Sequence, residues 1–504
     1  MANRSFNGNN SFPVIIGVGQ VTHHDRDELV TPVDLIERAV IAAEDDAGVR
    51  ARAETTGLFL SPPWAQDGDA AAPAVAERLG LPARLCRTGP FSGSTPQELL
   101  GQACSAIASG ELTMAVVTGG VADASVKAAL DRGVTPVAAA SFGAALGTRP
   151  TAQADTPRQP PSIPEQLAGV DSALAIFALV ESGLWAQAGG TGDERRAWLG
   201  RMLAPFTSVA ERHPGTAWFP VARPPQDIAT VTPGNRLVAD PYTKLMTSFP
   251  MVDMAAALIV TSAATAARLG VPRSQWVYPW AVASRHEDQP PSLRPRIDHS
   301  QALSAAAQQV LRATGLGPGD INRFDLYSCF PSAVQMGADA LGIDVLDPRG
   351  LTVTGGLPYF GGPGAAYVVM SIAAMAAECR ADPGSVGAVV GVGGFVSHFS
   401  AGLYSAAEPP AAFGYDDGAA EPARPAATAA LGASGDATVL AGTVMYDRAG
   451  PVVAPVIAEL PDGRRTGARL RTRQEAAAVA GQNLAGRPIR ITTEEDGLSY
   501  YEPR

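Results

Sequence analysis

Strand-like apolar runs alternate with helix-spaced segments as far as residue 400 or so, and this order restricts the possible folds more than any other feature. Residues 12–19 (FPVIIGVG) form a short β-rich run, and residues 32–47 follow with helical spacing. A helix is predicted from about 96 to 109. A strand over 114–118 (MAVVT) is predicted to stop at Gly119-Gly120. Strand-then-helix order asks for a parallel or mixed sheet with helices on both faces. The same grammar returns downstream: 276–283 is strand-like, 300–313 helical, 324–327 strand-like and 331–341 helical. Residues 351–354 then lead into a glycine-rich turn, a helix from about 365 to 378 and a strand over 387–392. Two such blocks in tandem predict an internally duplicated α/β fold. The intervening residues, roughly 122–235, are richer in Pro and polar residues and read as a long insertion covering one end of the first block.

At 504 residues the chain is too long for one compact core, so two or three domains are expected. Apolar residues at 46% against 17% charged fit a folded globular protein, not a disordered one. A net charge of −11 argues against a nucleic-acid partner, because phosphate binding needs clustered Lys and Arg. The N-terminal MANRSFNGNNSF is polar where a secretory signal would be apolar. Residues 365–377 are too short an apolar run to span a bilayer and read as a buried helix. Cys86, Cys104, Cys329 and Cys379 lack CxxC spacing, so neither a disulfide framework nor a metal site is expected. A cytoplasmic protein without a transmembrane segment is the plain expectation.

Composition shifts at 406–437 to Ala, Pro, Gly, Glu and Asp, a stretch that reads as a flexible linker. Beyond it, TVLAGTVMY, VVAPVIAEL, TGARLRT and PIRITT read as short strands, with Asp462-Gly463 as a hairpin signal. A small closed β-barrel of the oligonucleotide/oligosaccharide-binding type is expected over 438–504.

Several segments carry a family resemblance. FPVIIGVGQ at 12–20 resembles the opening strand of thiolases, and DPYTKLMTSFPMVDMAAAL at 240–258 the segment that ends their first half. YSCF at 327–330 stands where thiolases carry Asn-Glu-Ala-Phe and sterol-carrier-type thiolases His-Asp-Cys-Phe. GGLPYFGGPGAA at 355–366 is similar to Gly-Gly-x5-Gly-His-Pro-x-Gly-Ala, and GVGG at 391–394 to Cys-x-Gly-Gly. The matches keep their order over about 400 residues. With the extra β domain, the chain resembles the thiolase-like protein type 1 group, whose members are labelled acetyl-CoA acetyltransferases by homology.

The resemblance implies a five-layered αβαβα fold of two related halves. Residues 1–121 and 236–270 would form the first half, 122–235 an inserted loop domain, and 271–405 the second half; 406–437 would be the linker and 438–504 the β domain. It also implies acyltransferase chemistry on a coenzyme A thioester, in lipid metabolism, with no other cofactor and no metal. That chemistry needs a thiolate nucleophile, an acid/base group and oxyanion donors. Counting back from IASG at 107–110 places the family's nucleophilic Cys at Gly93, in PFSGSTPQELL. The His of Gly-His-Pro falls at Gly362, the second Cys at Gly391 and the Asn or His of the remaining motif at Tyr327. All four catalytic positions are substituted.

What remains is scaffold: glycine turns that bring backbone N–H groups near a ligand. Gly93, Ser94, Tyr359, Gly361, Gly362, Gly391 and Gly393 are the expected ligand-binding positions. Cys329 reads either as a small buried residue or as a catalytic thiol, and His398 either as a structural histidine or as a pocket acid/base. Tyr327 and Tyr359 read as hydrogen-bonded core residues or as phenols offered to a substrate oxygen. Three functions follow. One is a thiolase-like binder of acyl-CoA without Claisen chemistry. Another is a lyase making a retro-aldol cut in a β-hydroxyacyl-CoA, as members of the superfamily do with tyrosines and a separate partner protein. The last is acyltransfer by Cys329 or a serine beside Gly93. A partner protein, and a monomer against a homodimer, stay open.

Overall fold

The computed structural model describes residues 11–63, 70–134, 163–418, 427–495 and 498–503. The first half opens with β1 (Pro13–Thr22), α1 (Pro32–Ala47), β2 (Gly57–Ser61), α2 (Ala71–Arg78), β3 (Leu85–Thr88), α3 (Thr95–Ala108) and β4 (Met114–Ala122). α1 starts where Thr31 and Asp34 form a reciprocal capping box with Pro32 in the first turn, and it ends at Gly48 with φ 68°. Its apolar face lies hard against β1: a Cβ on Gly19 would sit 2.0 Å from the Ala39 carbonyl oxygen. β4 runs on through Gly119 and Gly120, where the sequence predicts a stop. A Cβ on Gly120 would lie 2.6 Å from that of Ala255, so glycine there permits close strand packing and makes no turn.

The insertion is helical: α4 (Asp123–Asp131), α5 (Ile163–Ala168), α6 (Ala173–Ala188), α7 (Gly192–Glu211) and α8 (Pro225–Ala229), then β5 (Leu237–Ala239) and β6 (Tyr242–Thr243). Next come β7 (Asp253–Ser262), α9 (Ala263–Arg268), β8 (Tyr278–His286), α10 (Gln301–Thr314), β9 (Arg323–Leu326), α11 (Pro331–Leu341), α12 (Tyr367–Ala381), β10 (Val386–Gly393), β11 (His398–Ser405) and β12 (Gly414–Asp416).

The duplication shows in the pairing. In the first sheet β2–β4 is parallel while β4–β7 and β7–β1 are antiparallel. In the second, β9–β10 is parallel while β10–β11 and β11–β8 are antiparallel. Each four-strand motif gains one edge strand, β3 in the first sheet and β12 in the second. α3 and α12 lie between the sheets, α1 packs on the outer face of the first and α10 on that of the second, giving αβαβα layers. β12 corrects the linker expectation in part. Gly414–Asp416 lies within 406–437 yet pairs with Ala281–Ala283 of β8, because an open sheet edge supplies the partners its composition does not suggest.

The C-terminal part comprises β13 (Gly435–Gly442), β14 (Met445–Asp447), β15 (Gly450–Val453), β16 (Pro455–Glu459), β17 (Arg465–Arg469), α13 (Arg473–Ala478), β18 (Pro488–Thr493) and β19 (Ser499–Pro503). Five of these strands close a barrel in the order β13-β16-β17-β19-β18, around its own apolar core. The β14–β15 ribbon leaves the barrel and joins β5–β6 in a four-stranded sheet. There Asp240 accepts from the Tyr446 hydroxyl at 2.9 Å and the Gly481 amide at 2.7 Å. On the other flank Arg465 donates to the carbonyls of Ser292 (2.9 Å) and Arg294 (2.6 Å). Among the described residues no single helix is long and apolar enough to cross a membrane, and no group of three or more His, Cys, Asp or Glu is placed to hold a metal.

Candidate active site

Four chain turns meet at a cavity of about 470 Å³: the loop entering α3, the turn between β9 and α11, the glycine-rich segment before α12, and the loop leaving β10. The start of α6 and Ser248 with Pro250 close the remaining sides. Local sequence explains each turn. Pro331 in the first turn of α11 and Pro96 in that of α3 start those helices beside the cavity. The glycine-rich segment is held from below by Asp325 on β9. This fully buried carboxylate accepts from the Thr352, Thr354, Tyr367 and Ser371 hydroxyls and from the Val353 and Thr354 amides, at 2.7–3.1 Å. Gly355 and Gly356, at φ 110° and 77°, then turn the chain against Ala210 and Phe206 of α7.

Above that anchor, Ser248 donates its amide to the Cys329 carbonyl at 2.9 Å, and Gly362 donates its own to Phe249 at 2.9 Å. The Leu357 amide donates to Ser328 Oγ at 3.0 Å. The cavity walls are mostly apolar: Phe91, Phe177, Phe330, Leu357 and Phe395. Phe177 and Phe330 stack with centroids 4.9 Å apart.

The glycines of this cavity are not empty places. A Cβ on Gly93 would lie 2.5 Å from the Tyr327 hydroxyl oxygen and 2.3 Å from the Val392 carbonyl oxygen. One on Gly362 would lie 2.0 Å from Ser248 Oγ, and one on Gly391 2.5 Å from Ser400 Oγ. A tyrosine and two serines therefore fill the volumes that side chains at 93, 362 and 391 would need.

Burial governs the acid–base chemistry. It pushes the Tyr327 phenol well above the usual tyrosine range, and Cys329 close by adds to the shift. It likewise pushes the Cys329 thiol far up, against the opposing backbone amides of Phe330 and Cys329. Both stay protonated at neutral pH, so Cys329 holds no ready thiolate and the Tyr327 hydroxyl keeps its proton.

No family model and no curated protein matches the chain. Solved structures do. A monomeric SCP2-thiolase-like protein type 1 from Mycobacterium smegmatis is similar at 28% identity and a TM-score of 0.79, covering 98% of this chain and 100% of that one. The chain has a thiolase-like fold. An Ltp2-ChsH2(DUF35) aldolase is similar at 18% identity and a TM-score of 0.59, covering 79% of this chain and 98% of that one. The Acat5 thiolase from Ascaris suum, solved with coenzyme A, is similar at 15% and 0.55, covering 78% and 99%. At these lower identities the likeness is one of fold.

Within this thiolase-like fold, Gly93, Tyr327, Cys329, Gly362 and Gly393 come together around the cavity. Gly391 lies one layer behind them, against Ser400. Ser94 turns away: its hydroxyl donates to Glu98 at 2.7 Å and contacts Ser92 Oγ at 3.0 Å. Gly361, at φ 117°, packs against the Met254 sulfur. Tyr359 is fully buried outside the cavity lining, its hydroxyl without a hydrogen-bond partner among the described residues. His398, read from sequence either as a structural histidine or as a pocket acid/base, is not among the lining residues. It starts β11, contacts Ser397 Oγ through Nδ1 at 3.0 Å, and stacks on His286 across the β11–β8 pairing at 6.2 Å. Burial lowers its pKa.

Sequence reasoning missed Ser248, Ser400 and Phe177. Ser248 lies inside the matched 240–258 segment and was within reach. Phe177 comes from the insertion, which offers no motif.

Proposed function

We propose that this protein binds a coenzyme A thioester in the cavity and performs neither Claisen condensation nor thiolysis. The observation that supports the reading is the occupation of the space beside Gly93, Gly362 and Gly391 by Tyr327, Ser248 and Ser400. A thiolase works through thiolate attack, and the thiol lining this cavity, Cys329, is buried and held neutral. The cavity suits a slim, mostly apolar arm: Phe177 and Phe330 flank it, while Ser248 and Tyr327 offer hydroxyls to an amide or thioester oxygen. Gly393 and Gly364 leave backbone close to such a ligand. Coenzyme A is here the ligand or substrate; the residues present can receive it, and no further cofactor is part of the proposal. Calorimetry with acetyl-CoA and longer acyl-CoAs, followed by an acetoacetyl-CoA thiolysis assay, tests it. Binding without turnover is expected; turnover at thiolase-like rates, or no binding of any CoA species, would overturn it.

A second reading is favoured by one feature, the Tyr327 hydroxyl held protonated beside the backbone of Gly93. A phenol so placed can donate to a carbonyl oxygen during retro-aldol cleavage of a β-hydroxyacyl-CoA. Tyr359, outside the cavity lining, has no part in it. The attached barrel, read as of the oligonucleotide/oligosaccharide-binding type, would stand in for a separate partner subunit. Cleavage of a β-hydroxyacyl-CoA by wild type and its loss in Tyr327→Phe would carry this reading over the first.

A further inference from the structure

A groove of about 820 Å³ lies away from the cavity, between α7, α8 and the 348–352 loop. We propose that it is a second ligand site, for an anion of the nucleotide class whose phosphates meet arginines while its flat ring lies on proline faces.

Charge gives the first argument. The chain carries a net charge of −11, yet Arg201, Arg212, Arg223 and Arg349 all line this groove and no Asp or Glu does. The four differ in what already holds them. Arg349 is committed to Asp347 and to the Pro318 and Ile321 carbonyls. Arg212 gives one N–H to the Ser208 carbonyl at 3.3 Å. Arg201 and Arg223 make no ion pair or side-chain hydrogen bond among the described residues, although unpartnered cations in an acidic protein have many carboxylates to choose from. Asp347 is spent on Arg349, and Glu211 accepts from the Ala222 amide at 3.3 Å.

Shape gives the second. Arg201, Pro205, Ser208 and Arg212 fall at helical spacing on one stripe of α7, and Pro224, Pro225 and Pro348 complete the wall. Rigid proline faces suit a planar heterocycle, and guanidinium forks suit phosphate oxygens. Exposed Val221 and Leu346 lie next to these wall segments in the chain.

Position separates the groove from the cavity. Phe206 and Ala210, on the opposite stripe of α7, press against Gly356 and Gly355, so helix and glycine turn stand between the two spaces. They share no lining residue. The proposal thus stands apart from the acyl-CoA reading.

Calorimetric titration of ADP into the full chain tests it, with inorganic pyrophosphate as the ring-free probe and acyl-pantetheine reporting separately on the cavity. Wild type is expected to bind ADP, tighter than pyrophosphate and more weakly as salt rises. An Arg201→Gln/Arg223→Gln variant should lose roughly tenfold or more in ADP affinity while acyl-pantetheine binding is unchanged. Absence of ADP binding at millimolar concentration overturns the site, as does equal ADP affinity in the double variant. Pyrophosphate binding as tight as ADP overturns the nucleotide assignment. Arg201 is exposed and Arg223 half-buried, and an unaltered thermal midpoint confirms that the variant is folded.

Discussion

Asp325 and Tyr327 stand two residues apart at the end of β9 and meet opposite surroundings. The Asp325 carboxylate is enclosed by four hydroxyls and two amides; four of those bonds fasten the segment that leads into the glycine-rich turn to the strand, and two, from Tyr367 and Ser371, fasten α12. The Tyr327 ring packs edge-on against Tyr367 at 5.6 Å and carries its hydroxyl into the space beside Gly93. One residue spends its polarity on the fold, and the hydroxyl of the other faces the space beside Gly93 at the cavity. A single strand end thus carries an anchor and a cavity-lining phenol, and the two are expected to respond differently to mutation.

The largest effect should come from the anchor. Asp325→Ala strips the acceptor from buried donors and is expected to cost about 3–5 kcal/mol in urea denaturation. A loss below about 1 kcal/mol would erase the contrast with Tyr327. Next, Gly93→Cys forces a side chain into space held by Tyr327 and the Val392 carbonyl, for about 1–3 kcal/mol. Combined with Tyr327→Gly, the change should become milder by about 1 kcal/mol in a double-mutant cycle; strict additivity would show that the two sites do not share one volume. Tyr327→Phe, by contrast, should shift stability by less than about 1 kcal/mol, its effect being on ligand affinity or turnover.

The smallest effect concerns His398, outside the cavity. Burial holds its folded pKa below the usual 6.5. As pH falls the unfolded chain takes the proton first, so this residue removes stability between 6.5 and its folded value. It contributes nothing above that window and a constant amount below it. His398→Asn should therefore gain on wild type in thermal midpoint between pH 7.5 and 5.5; an unchanged gap would refute the assignment.

Much of the frame was readable because local signals carry it. Thr31, Pro32 and Gly48 mark both ends of α1, and residues 331–341 match α11 end to end. The ordered motifs point to Gly93, Tyr327, Cys329, Gly362 and Gly393, which line the cavity. What stayed hidden depends on partners far along the chain. That Tyr327 fills the space at Gly93 and Ser248 that at Gly362 follows from loops that only folding brings together. The strand at 414–416 exists because β8 offers an edge, and no residue pattern there announces it. The glycines of β4 mislead because glycine means a turn or a close contact with equal ease, and Ala255 on β7 decides which. His398 follows a cavity loop in sequence, but the β11–β8 pairing takes its ring to His286.

Val396 has φ 59°, a left-handed conformation that costs a valine about 1–3 kcal/mol. Its carbonyl accepts from the fully buried Arg294 at 2.5 Å, Arg294 pairs with Glu287 at 3.3 Å, and the carbonyl of Arg294 is itself gripped by Arg465 of the barrel. Phe395, the next residue back, lines the cavity. These links form a continuous path from the barrel wall to the residue beside the cavity wall, although no described barrel residue lines the cavity. A chain ended after β12 would lose the Arg465 end of that path.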